Sequence, residues 1–220
     1  MTEHGACFDV MGTLFDLGTV RERLQAAGAP PTALETWFSR TLHAVVSLTA
    51  AGEFHPFPDV AEPTLRSVLA QLDLDPGQAP GIVAGLGELD PFDDVPAALE
   101  RLAGGGIPAV ALTNGTEANT RKLLQRAGIE QHFVGMVSVE AVGAYKPVPA
   151  VYQRGAAELG LAPEQVTLVA AHAWDCFGAR RAGMRDIWVQ RLEREWPLPV
   201  QPSDDVAPDV AGAVEVLLQR

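Results

Sequence analysis

The chain has 220 residues, of which 47% are hydrophobic and 20% are charged, and its formal net charge is −12 at pH 7. These fractions are typical of a soluble globular protein; no apolar run approaches the roughly 18 residues of a membrane span, and the N-terminal residues lack the pattern of a signal peptide. The acidic balance argues against nucleic acid as a partner, because phosphate binding needs clustered lysine and arginine.

The first predicted strand lies in the run Cys7-Phe8-Asp9-Val10-Met11-Gly12-Thr13-Leu14-Phe15-Asp16, where Gly12 and Thr13 end it. Asp9 therefore lies at the carboxyl tip of a buried strand, where open α/β sheets bind their ligands. Two residues later stands Met11, whose side chain cannot transfer a proton. The type of reaction that this site can catalyse depends largely on position 11, because a proton-transferring group is missing there.

The stretch from residue 18 to about residue 91 has mostly helical patterns and no strand candidate. Apolar residues at helical spacing predict a helix over 34–48, and a second helix is predicted over 60–72. The prolines between them predict a loop that includes residues 56–58. We interpret this block as a helical cap inserted after the first strand.

Strands and helices alternate from residue 91 onward. Strands are predicted at 109–112, 134–139, 166–170 and 187–189, helices at 95–104, 117–127, 149–160, 174–182 and 210–218, and a surface loop at 196–208. This alternation indicates a parallel sheet with helices on both faces. The predicted fold class is α/β, a Rossmann-like doubly wound parallel sheet, with 1–16 plus 91–220 as core domain and 17–90 as cap.

Four groups of polar residues follow predicted strands, where a doubly wound sheet collects its site. They are Asp9 with Thr13, Thr113-Asn114-Gly115, Lys146-Pro147, and His172 to Asp175. Because parallel strands end at the same edge of a sheet, we expect these groups to meet although they are far apart in sequence.

Asp9 is a candidate nucleophile, since a desolvated carboxylate attacks well when a nearby cation keeps it ionised. Lys146 is the candidate cation, and the alternative is a purely structural Asp–Lys pair. Thr113 and Asn114 precede the start of a predicted helix, where free backbone N–H groups can bind an anion. Ordinary N-capping is the alternative for them.

The chain resembles the haloacid dehalogenase superfamily, and more narrowly its L-2-haloacid dehalogenase (type II) branch. The matching stretches are Phe8 to Asp16, Pro91-Phe92-Asp93-Asp94-Val95-Pro96, Leu112-Thr113-Asn114-Gly115-Thr116, Tyr145-Lys146-Pro147 with Tyr152, and Ala173-Trp174-Asp175 with Gly178-Ala179. The Ala-Trp-Asp stretch and the missing acid at Met11 favour the dehalogenase branch.

The resemblance implies that Asp9 displaces halide from C2 of a short 2-haloacid with inversion, forming an ester that water hydrolyses to a 2-hydroxyacid. It also implies that Thr13 and Lys146 orient Asp9, and that Asp175 positions Lys146 and the hydrolytic water. The substrate-binding residues that it implies are Met11, Phe57, Thr113, Asn114, Tyr152 and Trp174. No metal or cofactor is expected. Because halide leaves as an anion without needing a proton, the branch can lack a second aspartate, and Met11 fits it.

Two departures from the branch bear on the site. Ala170-Ala171-His172 stands where the branch typically has Ser-Ser-Asn, so His172 is a candidate donor or base; a histidine packed in the loop is the alternative. The branch also uses a cap arginine to hold the halide. One alignment places Arg40 at that position and another places Phe38 there.

Three functions are therefore weighed: a metal-independent 2-haloacid dehalogenase, a Mg²⁺-dependent phosphatase of the same superfamily, and a non-catalytic descendant that binds a small acid or a protein partner. The first also includes displacement of another leaving group from a small 2-substituted acid. Two cysteines in buried patterns favour free thiols in a reducing cytoplasm. The expected partners are a small carboxylate substrate and halide, with no nucleic acid or membrane, and the apolar cap helix makes a homodimer possible.

Overall fold

A computed structural model of the protein describes residues 4–220. Its centre is one sheet of six parallel strands in the order β3-β2-β1-β4-β5-β6. The strands are β1 (Gly5–Phe8), β2 (Ala109–Thr113), β3 (Gly135–Ser138), β4 (Val166–Ala170), β5 (Arg185–Val189) and β6 (Asp205–Ala207). The predicted Rossmann-like α/β fold is confirmed.

The strand order places a topological switch point beside β1. After β1 the chain builds β2 and β3 on one side, and it then crosses over to build β4, β5 and β6 on the other. Strands β1, β2 and β4 are buried along their whole length, which explains their nearly continuous apolar sequences. Ligands of such sheets bind outside the strand carboxyl ends at this point.

Nine α-helices lie within residues 4–220: α1 (Gly18–Ala26), α2 (Ala33–Ala50), α3 (Phe57–Gln71), α4 (Ala79–Val83), α5 (Val95–Gly104), α6 (Glu117–Arg126), α7 (Pro149–Leu159), α8 (Ala173–Arg181) and α9 (Val210–Leu218). Helices α5 and α9 and strand β4 have the predicted bounds. Among the described residues, no helix combines the length and apolarity that crossing a bilayer would require.

Helices α1 to α4 follow β1 without an intervening strand, as the helical pattern of this stretch predicts. Trp37, Thr41 and Val45 lie one turn apart on the buried face of α2. The Trp37 indole donates to the Ala61 carbonyl of α3 at 2.9 Å, and the hydroxyls of Thr41 and Thr64 are 2.7 Å apart. These contacts fix how α2 is rotated about its own axis.

Two local predictions were wrong. The second cap helix begins at Phe57 and not at Val60, because Pro58 lies in its first turn, where the missing N–H would have no helical partner. The stretch 196–208 is not only a loop, since it contains β6. This edge strand of three residues, which pairs with β5, is too short to show alternation.

The two segments that connect the α1–α4 block to the sheet run side by side. The Asp16 amide donates to the Asp90 carbonyl and the Phe92 amide donates to the Leu14 carbonyl, both at 3.0 Å. Both cysteines are free and buried, as predicted.

Candidate active site

Four loops bring the predicted polar groups together at the carboxyl edge of the sheet. Asp9 follows β1 directly, Asn114 follows β2, and His172 follows β4 as the N-cap of α8. Lys146 lies in the loop between β3 and α7. All four are buried, although three of them are residue types that are usually exposed.

The Asp9 carboxylate has a donor or a cation at each oxygen. Thr13 Oγ1 donates to Oδ2 at 2.7 Å, and Lys146 Nζ donates to Oδ1 at 3.1 Å. Because Thr13 Oγ1 also accepts from the Ala171 amide at 2.9 Å, its single proton is directed at Asp9. Burial raises the pKa of Asp9, but Lys146, His172 and Thr13 outweigh it and hold that pKa well below its usual range. Asp9 is therefore ionised and oriented.

Lys146 connects Asp9 to a second buried carboxylate. Its Nζ also donates to Asp175 Oδ2 at 2.8 Å, and the Tyr152 hydroxyl donates to Asp175 Oδ1 at 2.6 Å. Burial lowers the pKa of Lys146, but the two carboxylates raise it by more. Burial and Asp175 raise the pKa of Tyr152 well above its usual value. Lys146 thus stays charged and Tyr152 stays a donor.

His172 lies between two aromatic rings and faces the nucleophile. Its ring centroid is 6.1 Å from that of Phe38 and 5.5 Å from that of Trp174. Its Nδ1 is 3.5 Å from Asp9 Oδ2 and has no closer hydrogen-bond partner among residues 4–220. Burial lowers the pKa of His172, whereas Asp9, Asp175 and Glu193 raise it above the ordinary 6.5.

The turn after Asp9 requires a glycine. Gly12 has φ +83°, in the left-handed region, and a Cβ there would meet His172 Cε1 at 3.0 Å. Gly12 therefore lets the His172 ring approach Asp9 closely.

A small chamber opens next to the Asp9 carboxylate. It is lined by Asp9, Met11, Phe38, Leu42, Phe57, Thr113, Asn114, His172 and Trp174. The chamber has a volume of about 10 Å³, which is roughly what one water molecule needs. The chamber is thus small, and its lining is mostly apolar.

The Thr113 and Asn114 side chains are both hydrogen-bonded to backbone. Thr113 Oγ1 accepts from the Gly115 amide at 2.9 Å, and Asn114 Oδ1 accepts from the Lys146 amide at 3.2 Å. Since its oxygen is occupied, Asn114 offers its NH₂ group to a ligand. Tyr152 does not line the chamber but lies behind it, bonded to Asp175.

The structure does not bring Arg40 to the chamber. Its guanidinium is exposed and donates to Gln71 of α3, whereas Phe38 lines the chamber. Two residues span about 200° around a helix, so Phe38 and Arg40 cannot face the same side. The prediction that Arg40 contributes to the chamber was wrong, and Phe38 lines the chamber together with Asp9.

Two contributors to the site were missed in the sequence. Leu42 lines the chamber one turn after Phe38, and this four-residue spacing was the available signal. Glu193 Oε2 accepts from the Ala173 amide at 2.8 Å and so caps α8 beside His172. No local pattern connects Glu193 to α8.

A family model for haloacid dehalogenase-like hydrolases matches residues 4–183. The chain belongs to this family. It is 31% identical over 193 residues to the (S)-2-haloacid dehalogenase of Pseudomonas sp. (strain YL), with 85% of this chain and 82% of the relative covered. The haloacetate dehalogenase H-2 of Moraxella sp. (strain B) is 28% identical over 188 residues, 84% of each chain. The predicted L-2-haloacid dehalogenase branch is confirmed.

Solved structures agree with the architecture of this family member. An L-2-haloacid dehalogenase superposes with a TM-score of 0.92 at 26% identity and covers 100% of both chains. The L-2-haloacid dehalogenase of Xanthobacter autotrophicus with covalently bound chloropropionic acid has a TM-score of 0.89 at 22% identity, covering 99% of this chain and 98% of that one. The second likeness concerns the fold alone.

Proposed function

We propose that the protein hydrolyses the carbon–halogen bond of short 2-haloacids through an ester on Asp9. One observation carries this proposal: Asp9 is buried and held ionised by Lys146 and Thr13, while Met11 stands where a proton donor for an oxygen leaving group would be needed. A leaving halide needs no proton, so this site suits displacement at carbon.

In the first step an Asp9 oxygen attacks C2 from the side opposite the halogen. The new C–O bond forms as the carbon–halogen bond breaks, halide leaves with the electron pair, and the configuration at C2 is inverted. The Asn114 NH₂ group and the apolar walls contact the acid and the departing halide. Because the chamber has space for only about one water molecule, a bound substrate displaces most of its water, and this strengthens these interactions.

In the second step water attacks the carbonyl carbon of the Asp9 ester. One water proton passes to His172 and then to the departing alkoxide, which becomes the 2-hydroxyacid. The other proton leaves the new carboxylic acid when Asp9 ionises again beside Lys146. Lys146 and the Thr13 hydroxyl stabilise the negative charge that develops on the carbonyl oxygen.

His172 is suited to both steps because its pKa depends on the charge of Asp9. While Asp9 is an anion, it raises the pKa of His172, and the imidazolium adds positive charge to the site. Ester formation removes that anion, so the pKa of His172 falls and the ring releases its proton to solvent. The neutral ring is then a base for the hydrolytic water.

The decisive experiment measures halide release from chloroacetate and from both enantiomers of 2-chloropropionate, with EDTA present. Wild-type protein is expected to release halide, and Asp9→Asn is expected to abolish release. Asp204→Asn is the matched control, because Asp204 is exposed and lies outside the lining of the chamber and its neighbouring cavities. A single turnover in ¹⁸O-water places the label in the Asp9 peptide if the ester forms. Label found only in the hydroxyacid would overturn the ester mechanism.

The phosphatase alternative is less well supported by this site. Both oxygens of Asp175, the acid that would help to hold Mg²⁺, accept hydrogen bonds from Lys146 and Tyr152. Mg²⁺-dependent phosphate release from p-nitrophenyl phosphate without any halide release would nevertheless favour it. Silence in both assays, with Asp9→Asn unchanged in ligand binding, would favour a non-catalytic descendant.

The division into a core of 1–16 plus 91–220 and a cap of 17–90 is part of this proposal. Two observations support it: helices α2 and α3 pack against each other through Trp37 and Thr41, and the connecting segments lie side by side at Asp16 and Asp90. In this arrangement Phe38 and Leu42 of the cap cover Asp9 of the core. Cap opening would admit substrate and release the hydroxyacid.

A further inference from the structure

A second and much larger cavity adjoins the chamber at Asp9. This cavity, here called the outer cleft, has a volume of about 690 Å³. It lies between α1 and α2 on one side and, on the other, the loops at Pro147 and Leu192 together with Trp174 in the first turn of α8. Its size falls in the range of small-molecule sites, roughly 300–1,000 Å³. The mechanism above uses Lys146 and His172 from its lining but assigns no ligand group to its space.

The outer cleft and the chamber are separated by a shared wall. Phe38, Leu42, His172 and Trp174 line both cavities. Because the chamber has space for only about one water molecule, a ligand reacting at Asp9 must displace part of its lining. Open space lies behind two parts of the lining: a cavity of about 280 Å³ behind Met11 and Phe57, and the larger outer cleft behind the shared wall. We therefore expect a ligand longer than two carbons to extend into the outer cleft.

The walls of the outer cleft are predominantly apolar. Leu17, Leu34 and Phe92 line it together with Val46 and Leu192. Val46 is 43% exposed and Leu192 is 52% exposed, although both are large apolar side chains. An apolar ligand in the outer cleft would cover them.

Among residues 4–220, each lysine and arginine that lines the outer cleft is paired with a carboxylate. Asp16, Glu35 and Glu193 line it. The cation Arg21 is paired with Glu35 at 2.6 Å, and Lys146, which also lines the cleft, is paired with Asp9 and Asp175. A second carboxylate on the ligand would meet these acids without a free cation. The cleft thus favours a group that is apolar and uncharged.

We propose that the outer cleft binds the uncharged apolar tail of the 2-substituted acid whose C2 and carboxylate lie in the chamber. This inference rests on the proposed function and extends its substrate range from short 2-haloacids to 2-haloacids with an alkyl or aryl-alkyl chain beyond C3. Each buried methylene of such a tail raises affinity about fourfold.

The test compares kcat/KM for 2-bromooctanoate and 2-bromopropionate in halide release. Wild-type protein is expected to prefer the longer acid at least tenfold. Val46→Trp fills the outer cleft from α2 and is expected to reduce this preference at least tenfold, and Leu192→Trp does so from the opposite loop. Val206→Trp is the matched control, because Val206 is 45% exposed and lies on β6 away from the cleft.

The proposal of a tail site would be overturned if wild-type protein released halide but showed no preference for 2-bromooctanoate. It would also be overturned if the preference were the same in all four proteins. Binding of octanoate and acetate to Asp9→Asn, measured by calorimetry, separates this failure from failure of the proposed function. Tighter binding of octanoate that Val46→Trp abolishes would support the tail site even if no halide were released. Equal binding of the two acids would overturn it.

Discussion

Replacing Lys146 by methionine tests the central electrostatic claim about the site. The change keeps most of the side-chain volume but removes the cation between two buried carboxylates. With an effective dielectric constant of about 20, its pairs with Asp9 at 3.1 Å and Asp175 at 2.8 Å correspond to roughly 5 and 6 kcal/mol of attraction. The cost of burying three charges offsets much of this sum.

Removing one partner of a buried ion pair typically costs about 3–5 kcal/mol. We expect Lys146→Met to lower the free energy of unfolding by about that amount at neutral pH. The loss is limited because one of the two facing carboxylates takes up a proton. That carboxyl then has a raised pKa in the folded state, so the variant binds more protons folded than unfolded. Its stability therefore decreases with rising pH, by about 1.4 kcal/mol per unit for one proton.

Urea unfolding of both proteins between about pH 5 and about pH 8 measures this dependence. The matched control is Lys122→Met, because the sequence has two lysines and Lys122 is exposed on α6. A loss below about 1 kcal/mol would refute the reasoning, because a severed buried pair costs more. A loss that did not change with pH would refute the proton uptake, and Lys146→Met should release no halide in either case.

Further outcomes are expected from three sites. For wild-type protein, kcat/KM for halide release should fall as pH rises through the raised pKa of His172, because displacement uses the protonated ring. In His172→Asn this fall at alkaline pH should be absent from the pH profile. Where ester hydrolysis limits turnover, kcat should instead fall toward acid pH, and a kcat that is independent of His172 would contradict its role as base. Tyr152→Phe should cost about 1–3 kcal/mol in urea unfolding, because a buried oxygen of Asp175 is left without its donor, and an unchanged midpoint would contradict that contact. Gly178→Ala should cost about 1–3 kcal/mol, because the new Cβ would overlap the Tyr152 hydroxyl, whereas Gly81→Ala in α4 meets nothing within 4 Å and should leave stability unchanged or slightly higher.

The sheet could be predicted from the sequence because its central strands are buried on both faces. Such strands appear as short apolar runs between helices, as in β2 and β4, and their ends then locate Asp9 and Asn114. Strand β6 could not be predicted this way. It has three residues at the edge of the sheet, and Val206 at its centre is 45% exposed, so its pattern does not differ from that of a loop.

The cap side of the site was harder to predict for a different reason. Whether Phe38 or Arg40 faces Asp9 depends on the rotation of α2, which is fixed by the packing of Trp37 and Thr41 against α3. That packing is a tertiary contact between two helices, and the spacing within α2 alone is compatible with either orientation. Glu193 could not be predicted from local sequence either. It follows β5 and contacts the start of α8 because β5 lies beside β4 in the sheet.

The burial of Lys146 also determines how the protein reacts with amine-directed reagents. An acylating reagent needs an exposed and unprotonated amine, and Lys146 is 1% exposed and held in its charged form by two carboxylates. Lys122 is therefore the lysine that a dye or a surface linker modifies in the folded protein, and it lies on α6, outside the lining of the chamber and the outer cleft. Acylation of Lys146 would require the site to open transiently, so the rate of this slow reaction would report how often the site opens.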